Sequence, residues 1–267
     1  MTHRARAIAP THILLALAIA AAALPRPLAA QDAFRWSGRL DPGRTIEVKG
    51  VRGDVRAVLA EGDVVEVIAT KSARRSDPDE VTFDVIEHDD GITICAVYPN
   101  RRGRPNECAP GSRGRMSTRD NDVTVDFVVR VPAGVHFAGR TVNGKVQASG
   151  LASDVVARTV NGSIEVSTSG FARASTVNGA IRAALGRTDW AREVDFETVN
   201  GSITVELPAD ANAEISARTV NGSISTDFPL TVQGRFNRRR VEGTIGSGGR
   251  RLELSTVNGS ITLRRGS

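Results

Sequence analysis

The chain has 267 residues, with 35 Lys and Arg against 30 Asp and Glu, and a formal net charge of +5. Arg4, Arg6 and Arg26 lie within residues 1–30, which contain no acid, so the rest of the chain holds 32 basic and 30 acidic residues. This balance argues against a nucleic-acid-binding protein, whose domains are strongly basic. Aromatic residues make up only 4% of the chain, so the core must consist of small and β-branched side chains, which favours strands.

Residues 1–30 have the pattern of a secretory signal peptide. Arg4 and Arg6 give a basic start, residues 13–24 are apolar, and Leu28-Ala29-Ala30 supplies small residues for cleavage. The apolar run is too short to span a bilayer, and no later stretch is apolar enough to do so. We therefore predict an exported protein, periplasmic or at the cell surface, with no transmembrane segment after signal removal.

Cys95 and Cys108 are the two cysteines of the chain. Two cysteines this close in an exported protein usually form a disulfide, whereas a metal or redox site would need more ligands or a CxxC pair. We predict a structural disulfide that tethers the segment between them.

The region 31–140 alternates polar and apolar residues, which predicts strands separated by turns. The predicted strands are 45–49, 55–59, 64–70, 81–87, 92–98 and 123–131. Residues 100–122 differ, with six arginines, three glycines and two prolines, and predict a mobile loop held only at Cys108. Five arginines of this loop are candidates for binding an anionic glycan or lipid headgroup: Arg101, Arg102, Arg104, Arg113 and Arg115.

The region 141–267 is built on a repeat. The sequence Thr-Val-Asn-Gly occurs six times, beginning at Thr141, Thr159, Thr176, Thr198, Thr219 and Thr256. Apolar residues stand two and four positions before most of these threonines, and an Ile or Val stands two positions after each glycine. Each repeat therefore predicts a strand, an Asn-Gly corner and a second strand, and a fixed repeat predicts stacked units.

Two all-β architectures satisfy this pattern. Each Asn-Gly pair could close a hairpin, giving stacked β-hairpins. Alternatively, each pair turns a corner of a right-handed parallel β-solenoid with about 20 residues per coil, in which the asparagines form a ladder. We favour the solenoid, because a hairpin turn does not require the flanking Thr and Val to be identical in six copies.

In the solenoid we expect the Asn-Gly corners to adopt left-handed backbone conformations, which these residues tolerate best. We also expect Asn161, Asn178, Asn200 and Asn221 to be successive neighbours. The predicted corner residues are Asn143, Gly144, Asn161, Gly162, Asn178, Gly179, Asn200, Gly201, Asn221, Gly222, Asn258 and Gly259.

Repeated Val-Asn-Gly-x-Ile units after a signal peptide, with an early related copy at Val51-Arg52-Gly53-Asp54-Val55, resemble the bacterial Toastrack family of adhesin-like domains. The resemblance covers residues 45–267. It implies a single-chain β-solenoid associated with cell surfaces or envelope-stress systems. That family has no agreed activity, so the resemblance implies no catalytic residues.

The residues themselves predict no catalytic, cofactor-binding or metal-binding site. The outward acids of the repeats look scattered along the sequence: Glu165, Asp195, Glu197, Glu206 and Glu253. Trp190 lies in a longer connection and is predicted to pack against the core. We therefore predict a non-enzymatic scaffold or interaction module whose partner is an unidentified protein or envelope component. The alternative is a carbohydrate-active β-solenoid enzyme, a lyase or hydrolase, which a cluster of carboxylates on one outer face would support.

Overall fold

The computed structural model describes residues 33–99, 104–118, 120–190, 192–232 and 239–266. The predicted signal peptide lies outside these residues. The described strands, in chain order, are β1 Phe34–Arg39, β2 Thr45–Lys49, β3 Val55–Leu59, β4 Val64–Ser72, β5 Thr82–His88, β6 Gly91–Val97, β7 Thr124–Val131, β8 His136–Arg140, β9 Val146–Leu151, β10 Val155–Arg158, β11 Ile164–Thr168, β12 Ala172–Asn178, β13 Ile181–Leu185, β14 Val194–Asn200, β15 Ile203–Leu207, β16 Ala213–Asn221, β17 Ile224–Thr226, β18 Thr231–Val232, β19 Arg240–Ile245, β20 Arg251–Asn258 and β21 Ile261–Arg265. The helix of the described residues is the 3₁₀ turn Pro78–Glu80, and no described helix is long and apolar enough to cross a membrane.

These strands form two sheets that face each other across the core. Sheet A has ten strands in the spatial order β1-β4-β7-β3-β9-β11-β13-β15-β21-β17. Sheet B has eleven, in the order β5-β6-β2-β8-β10-β12-β14-β20-β16-β19-β18. The layers are held together by aliphatic side chains from alternate positions, together with Phe127, Phe137 and Phe196, all almost fully buried. Trp190 is also buried, with 5% of its surface exposed, so it packs in the core as predicted.

Each repeat contributes one strand to each sheet. β12 lies in sheet B and β13 in sheet A, and the corner at Gly179 joins them. Every strand of these repeats pairs in parallel with the equivalent strand of a neighbouring repeat, in register apart from one shift between β9 and β11. For example, Ala174 lies opposite Phe196, and Ile181 lies opposite Ile203. The protein is therefore a parallel β-solenoid, and the hairpin alternative is wrong. The right-handed sense of its coils stays a prediction.

The coils do not all stack in chain order. From β8 to β15 each coil follows its predecessor, but β20 lies between β14 and β16, and β21 between β15 and β17. Asn258 therefore separates Asn200 from Asn221, and the expectation that these two are neighbours is wrong. The N-terminal end repeats this arrangement, since β2 lies between β6 and β8, and β3 between β7 and β9.

Antiparallel strands cover both sheets at the N-terminal end of the stack and sheet B at the other end, where the last strand of sheet A, β17, pairs in parallel with β21. β5 pairs with β6, and β4 with β7, while at the other end β19 pairs with β16. The rings of Phe34 and Phe83 stack with their centroids 4.3 Å apart, and Phe83 meets the edge of Phe127 at 6.1 Å, which joins the two sheets at the N-terminal end. Antiparallel pairing at the ends hides parallel edges that would otherwise recruit further strands.

The corner glycines are required for a reason that the sequence did not reveal. None of the six has a positive φ, and among the described non-glycine residues only Asp120 does, so the expected left-handed corners are wrong. Instead, a Cβ at any of these glycines would lie 1.9–2.0 Å from the carbonyl oxygen of the equivalent glycine one coil away. Only glycine allows the backbones of adjacent coils to approach this closely. At the early copy, Gly53 combines a φ of 113° with a similar approach, 2.1 Å from the Val125 carbonyl oxygen.

The threonine and asparagine of each corner form two hydrogen-bond ladders. Each repeat threonine is buried, and its Oγ1 donates to the same glycine carbonyl of the adjacent coil, at 2.8–3.1 Å. In the spatial order 143, 161, 178, 200, 258, 221, the Nδ2 of each asparagine after the first donates to the Oδ1 of the preceding asparagine at 2.8 Å. Identity at these positions is thus explained by contacts between coils.

Candidate binding face

The outer face of sheet B presents two rows of side chains that run along the stack. The first row holds the residue immediately before each repeat threonine, and the second holds the residue two positions earlier. In spatial order from β2 to β16, the first row is Lys49, Arg140, Arg158, Ser175, Glu197, Ser255 and Arg218. The second row is Glu47, Ala138, Val156, Arg173, Asp195, Glu253 and Ser216. Because the coils are in register, neighbours within a row lie about 4.8 Å apart.

At the β2 end, the arginine-rich loop covers the face. The Lys49 ammonium donates to the carbonyl oxygens of Ala109, Gly111 and Arg113 at 2.6, 2.8 and 2.9 Å. Cys95 on β6 is bonded to Cys108, with their Cα atoms 5.8 Å apart. The described part of this loop is therefore docked at several points, and the prediction that it is mobile apart from its tether is wrong for residues 104–118.

A buried carboxylate connects the loop to the sheet. Glu47 accepts hydrogen bonds from Thr93 Oγ1 at 3.0 Å and from the Gly111 amide at 2.8 Å, and it also accepts one from Arg140 Nε. Only 5% of the Glu47 side chain and 18% of the Arg140 side chain are exposed. Burial lowers the pKa of Lys49, with the Glu47 carboxylate opposing the shift and the Arg140 and Arg113 guanidinium groups adding to it. This end of the face is fully occupied by internal contacts.

The next three strands carry a cluster of arginines, Arg140, Arg158 and Arg173, which we call the basic cluster. Arg140 and Arg158 are register partners, and Arg173 lies opposite Val156 on the following strand. The Nε atoms of Arg158 and Arg173 are buried and have no hydrogen-bond partner. Arg173 is 3.6 Å from Asp195, beyond hydrogen-bond length, and Arg158 forms no ion pair with any described residue. Burial lowers the pKa of Arg158, and the charges of Arg140 and Arg173 lower it further, while the carboxylates of Asp195 and Glu47 oppose the shift.

Beyond the basic cluster the same face becomes acidic. Asp195 and Glu197 lie on β14, and Glu253 lies on β20 directly opposite Asp195. Burial raises the pKa of Asp195; Arg173 opposes this shift, while Glu253 and Glu197 add to it. These three residues, the acidic cluster, contradict the expectation that the outward acids are scattered. Glu165 and Glu206 lie on sheet A and do not join them.

Comparison with protein families decides the relationship suggested by the repeat. The family model described as Toastrack DUF4097 matches residues 115–264, which is more than half of the chain. The chain belongs to the Toastrack family. A comparison with curated proteins found no match.

Two solved structures are similar to this chain at low sequence identity. One is described as the structure of a proposed cell adhesion protein from Clostridium sporogenes ATCC 15579, with a TM-score of 0.51 and 10% identity over 88% of this chain and 100% of that chain. Another is a proposed adhesin from Bacteroides fragilis NCTC 9343, with a TM-score of 0.37 and 10% identity over 88% of this chain and 98% of that one. At this identity the first likeness supports the solenoid fold, and the second carries no argument.

The arginines predicted for anion binding are only partly within the described structure of this Toastrack protein. Arg101 and Arg102 lie outside the described residues. Arg104, Arg113 and Arg115 are exposed on the docked loop, and Arg115 pairs its backbone with Glu107. Arg113 is brought next to Lys49, at the edge of the face that carries the basic cluster.

Several residues of the face were missed in the sequence. Arg140 stands immediately before Thr141, as Arg158 does before Thr159, so the repeat itself carried the signal for their proximity. Glu47 and Lys49 had no such signal, because their partners come from a loop and from a strand more than 40 residues away. Within the described residues, no group of three His, Cys, Asp or Glu side chains is arranged to hold a metal ion.

Proposed function

We propose that this Toastrack protein is a non-enzymatic, adhesin-like interaction module of the bacterial envelope, located in the periplasm or at the cell surface. The proposal rests on the outer face of sheet B, where in-register strands place a basic cluster next to an acidic cluster. Such a face offers a fixed charge pattern rather than an enclosed reaction site, and charge complementarity of this kind selects partners.

The disulfide supports the envelope location. Cys95 and Cys108 are paired, and stable disulfides of this kind belong to exported proteins, because the cytosol keeps thiols reduced. The signal-peptide pattern of residues 1–30 agrees with this compartment. The cell-adhesion description of the Clostridium sporogenes structure supports an interaction role.

Retention on the envelope tests the proposal. The purified oxidised protein is incubated with envelope fractions of its source bacterium and sedimented, with serum albumin as the control for nonspecific trapping. We expect saturable retention that weakens as salt is raised, because the face is charged. Retention no greater than that of albumin, at any salt concentration, would contradict the proposed role.

A carbohydrate-active enzyme remains the second candidate, favoured by the acidic cluster. Asp195 lies directly opposite Glu253 on adjacent strands, and its raised pKa is a property that general acids share. The test is release of reducing ends from acidic and neutral polysaccharides by the wild type and by Asp195→Asn. Turnover that disappears in Asp195→Asn would establish the enzyme and replace the scaffold role.

A further inference from the structure

We propose that the basic cluster binds an acidic polysaccharide, a linear glycan that carries carboxylate or sulfate groups along its length. The glycan lies over β8, β10 and β12, where Arg158 and Arg173 contact its charged groups and Arg140, held by Glu47, adds positive charge. This inference rests on the proposed function and names the class of partner for that face.

The first support is the regular placement of the three guanidinium groups. Arg140 and Arg158 are register partners on adjacent parallel strands, so their side chains are set about one strand spacing, 4.8 Å, apart along the stack. Arg173 follows on the next strand, in the neighbouring row. A line of cations on a rigid sheet suits a ligand whose charges repeat along a chain. Arginine binds carboxylate, sulfate and phosphate oxygens through two parallel hydrogen bonds.

The second support is that Arg158, at the centre of the basic cluster, has no carboxylate partner within the described part of the chain. By contrast, Arg140 pairs with Glu47, and Arg173 lies 3.6 Å from Asp195. Strand arginines elsewhere on the two sheets find carboxylates: Arg130 is 3.4 Å from Glu66, and Arg218 is 3.6 Å from Glu253. Arg158 has no carboxylate partner among the described residues, and its buried Nε donates to nothing. A guanidinium that is partly removed from water and crowded by like charge is unfavourable unless an anion joins it. A bound anionic group on the outer face would offset this positive charge.

The boundaries of the basic cluster favour a narrow ligand over a membrane. On one side the docked loop covers Lys49, and on the other Asp195, Glu197 and Glu253 occupy the same face. An anionic bilayer is broad and flat, so contact with the arginines would also press it against the acidic cluster, where it is repelled. A single glycan chain is narrow and flexible, so it can contact the three basic strands and leave the surface before it reaches the acids.

The test compares Arg158→Gln with Arg218→Gln. Both arginines stand immediately before a repeat threonine, but Arg218 pairs with Glu253 and lies outside the basic cluster. The probes are polygalacturonate, dextran sulfate, neutral dextran and vesicles containing anionic phospholipid. We expect Arg158→Gln to weaken binding to both polyanions about tenfold, in line with one lost charge-assisted hydrogen bond. We expect Arg218→Gln to change it by less than about twofold, and neutral dextran not to bind.

Asp195→Asn adds a readout that a purely structural role would not produce. Removing this carboxylate frees Arg173 and reduces the repulsion of an anionic chain, so affinity for the polyanions should rise about twofold or more. Raising salt from about 0.1 M to about 1 M, which shortens the Debye length from about 10 to about 3 Å, should weaken binding strongly. Melting temperatures within a few degrees of wild type show that each variant is folded.

Three outcomes would overturn the inference: no binding to either polyanion, equal losses in Arg158→Gln and Arg218→Gln, or vesicle binding as tight as polyanion binding. The first of these, together with normal retention on envelope fractions, would leave the proposed function standing and move its partner to another class. Absence of both kinds of binding would remove the proposed function as well.

Discussion

The middle of the solenoid and its C-terminal end use the same repeat but follow different rules of assembly. From β8 to β15 the chain adds each coil to the one before, and successive asparagines in the ladder are 17 to 22 residues apart. At the end, Asn200 contacts Asn258, which is 58 residues away, and Asn258 contacts Asn221. The corner motif therefore specifies how two coils fit together, but it does not specify which two coils meet.

Engineered disulfides test the inserted coil with an all-or-none result. Thr204 is the register partner of Thr262, and Thr262 is the partner of Ser225, so Thr204 and Ser225 are two strands apart. Cysteines at 204 and 262 should form a disulfide, because adjacent strands place their Cα atoms within the range that a disulfide allows. Cysteines at 204 and 225 should stay unpaired, at about twice the strand spacing. Peptide mapping by mass spectrometry distinguishes the pairs. A disulfide between positions 204 and 225 would show that the coils stack in chain order, without the inserted coil.

Corner glycines should matter most where coils are enclosed on both sides. Gly162→Ala places a Cβ 1.9 Å from the Gly144 carbonyl oxygen, so the coils must separate, at a cost of about 3 kcal/mol or more in the free energy of unfolding. The neighbouring change Ser163→Ala is the control and should cost less than about 0.5 kcal/mol. Gly222→Ala, in the last coil, should cost less than Gly162→Ala, because only one neighbouring coil must move. Equal denaturation midpoints for Gly162→Ala and Ser163→Ala would refute the close-approach explanation.

Removing one hydrogen bond of the threonine ladder should destabilise the protein less than replacing a corner glycine. In Thr176→Val the side chain keeps its shape but loses the hydroxyl that donates to the Gly162 carbonyl at 3.0 Å. We expect a loss of about 1 to 2 kcal/mol, since a buried hydrogen bond disappears and the carbonyl loses a partner. Thr176→Ser keeps the hydroxyl and removes only a methyl group, so it separates hydrogen bonding from packing. If denaturant titrations show that Thr176→Ser destabilises the protein as much as Thr176→Val, the hydrogen bond does not explain why threonine recurs at this position of the repeat.

The stability contributions of Asp195, in the acidic cluster, and of Asp189, in the connection between β13 and β14, should change with pH in opposite directions. The folded-state pKa of Asp195 is raised, so its charged form disfavours the fold, and its contribution improves as pH falls through the raised pKa toward the unfolded value. The pKa of Asp189 is lowered by its hydrogen bond from Arg187, so its contribution is lost as pH falls through that lowered value. Melting temperatures are measured between pH 7 and pH 3. Relative to the wild type, Asp195→Asn and Asp189→Asn should change the slope of melting temperature against pH in opposite directions. Slopes of the same sign would contradict the stated causes.

The structure of each repeated unit could be predicted from the sequence, but the order in which the coils stack could not. Alternation around each Thr-Val-Asn-Gly predicted two strands and a corner, because those features depend on residues within about 20 positions of one another. The place of β20 between β14 and β16 depends on a choice among identical edges, which no local pattern encodes. The glycines were predicted at the right corners for the wrong reason, since close contact between coils is invisible in a single repeat.

The candidate face was predictable in part. Arg140 and Arg158 share a slot in the repeat, so their meeting follows from the solenoid once its register is known. The acids appeared scattered because Glu253 is 58 residues from Asp195 along the chain, yet the inserted coil makes them register partners. The docked loop was misjudged from its glycine, proline and arginine content, which gave no indication that Lys49 and Glu47 would bind its backbone.

The inserted coil also bears on how the chain folds as it is made. Residues 213–226 are synthesised before residues 251–265, and both carry a Thr-Val-Asn-Gly corner that fits the edge of β14 and β15. Residues 213–226 can therefore compete for the edge of β14 and β15 that residues 251–265 occupy in the folded protein. Completion of the native stack has to wait for residues 251–265, so long-range pairing sets a late step in folding. A chain cut short before β20 cannot complete the native order of coils.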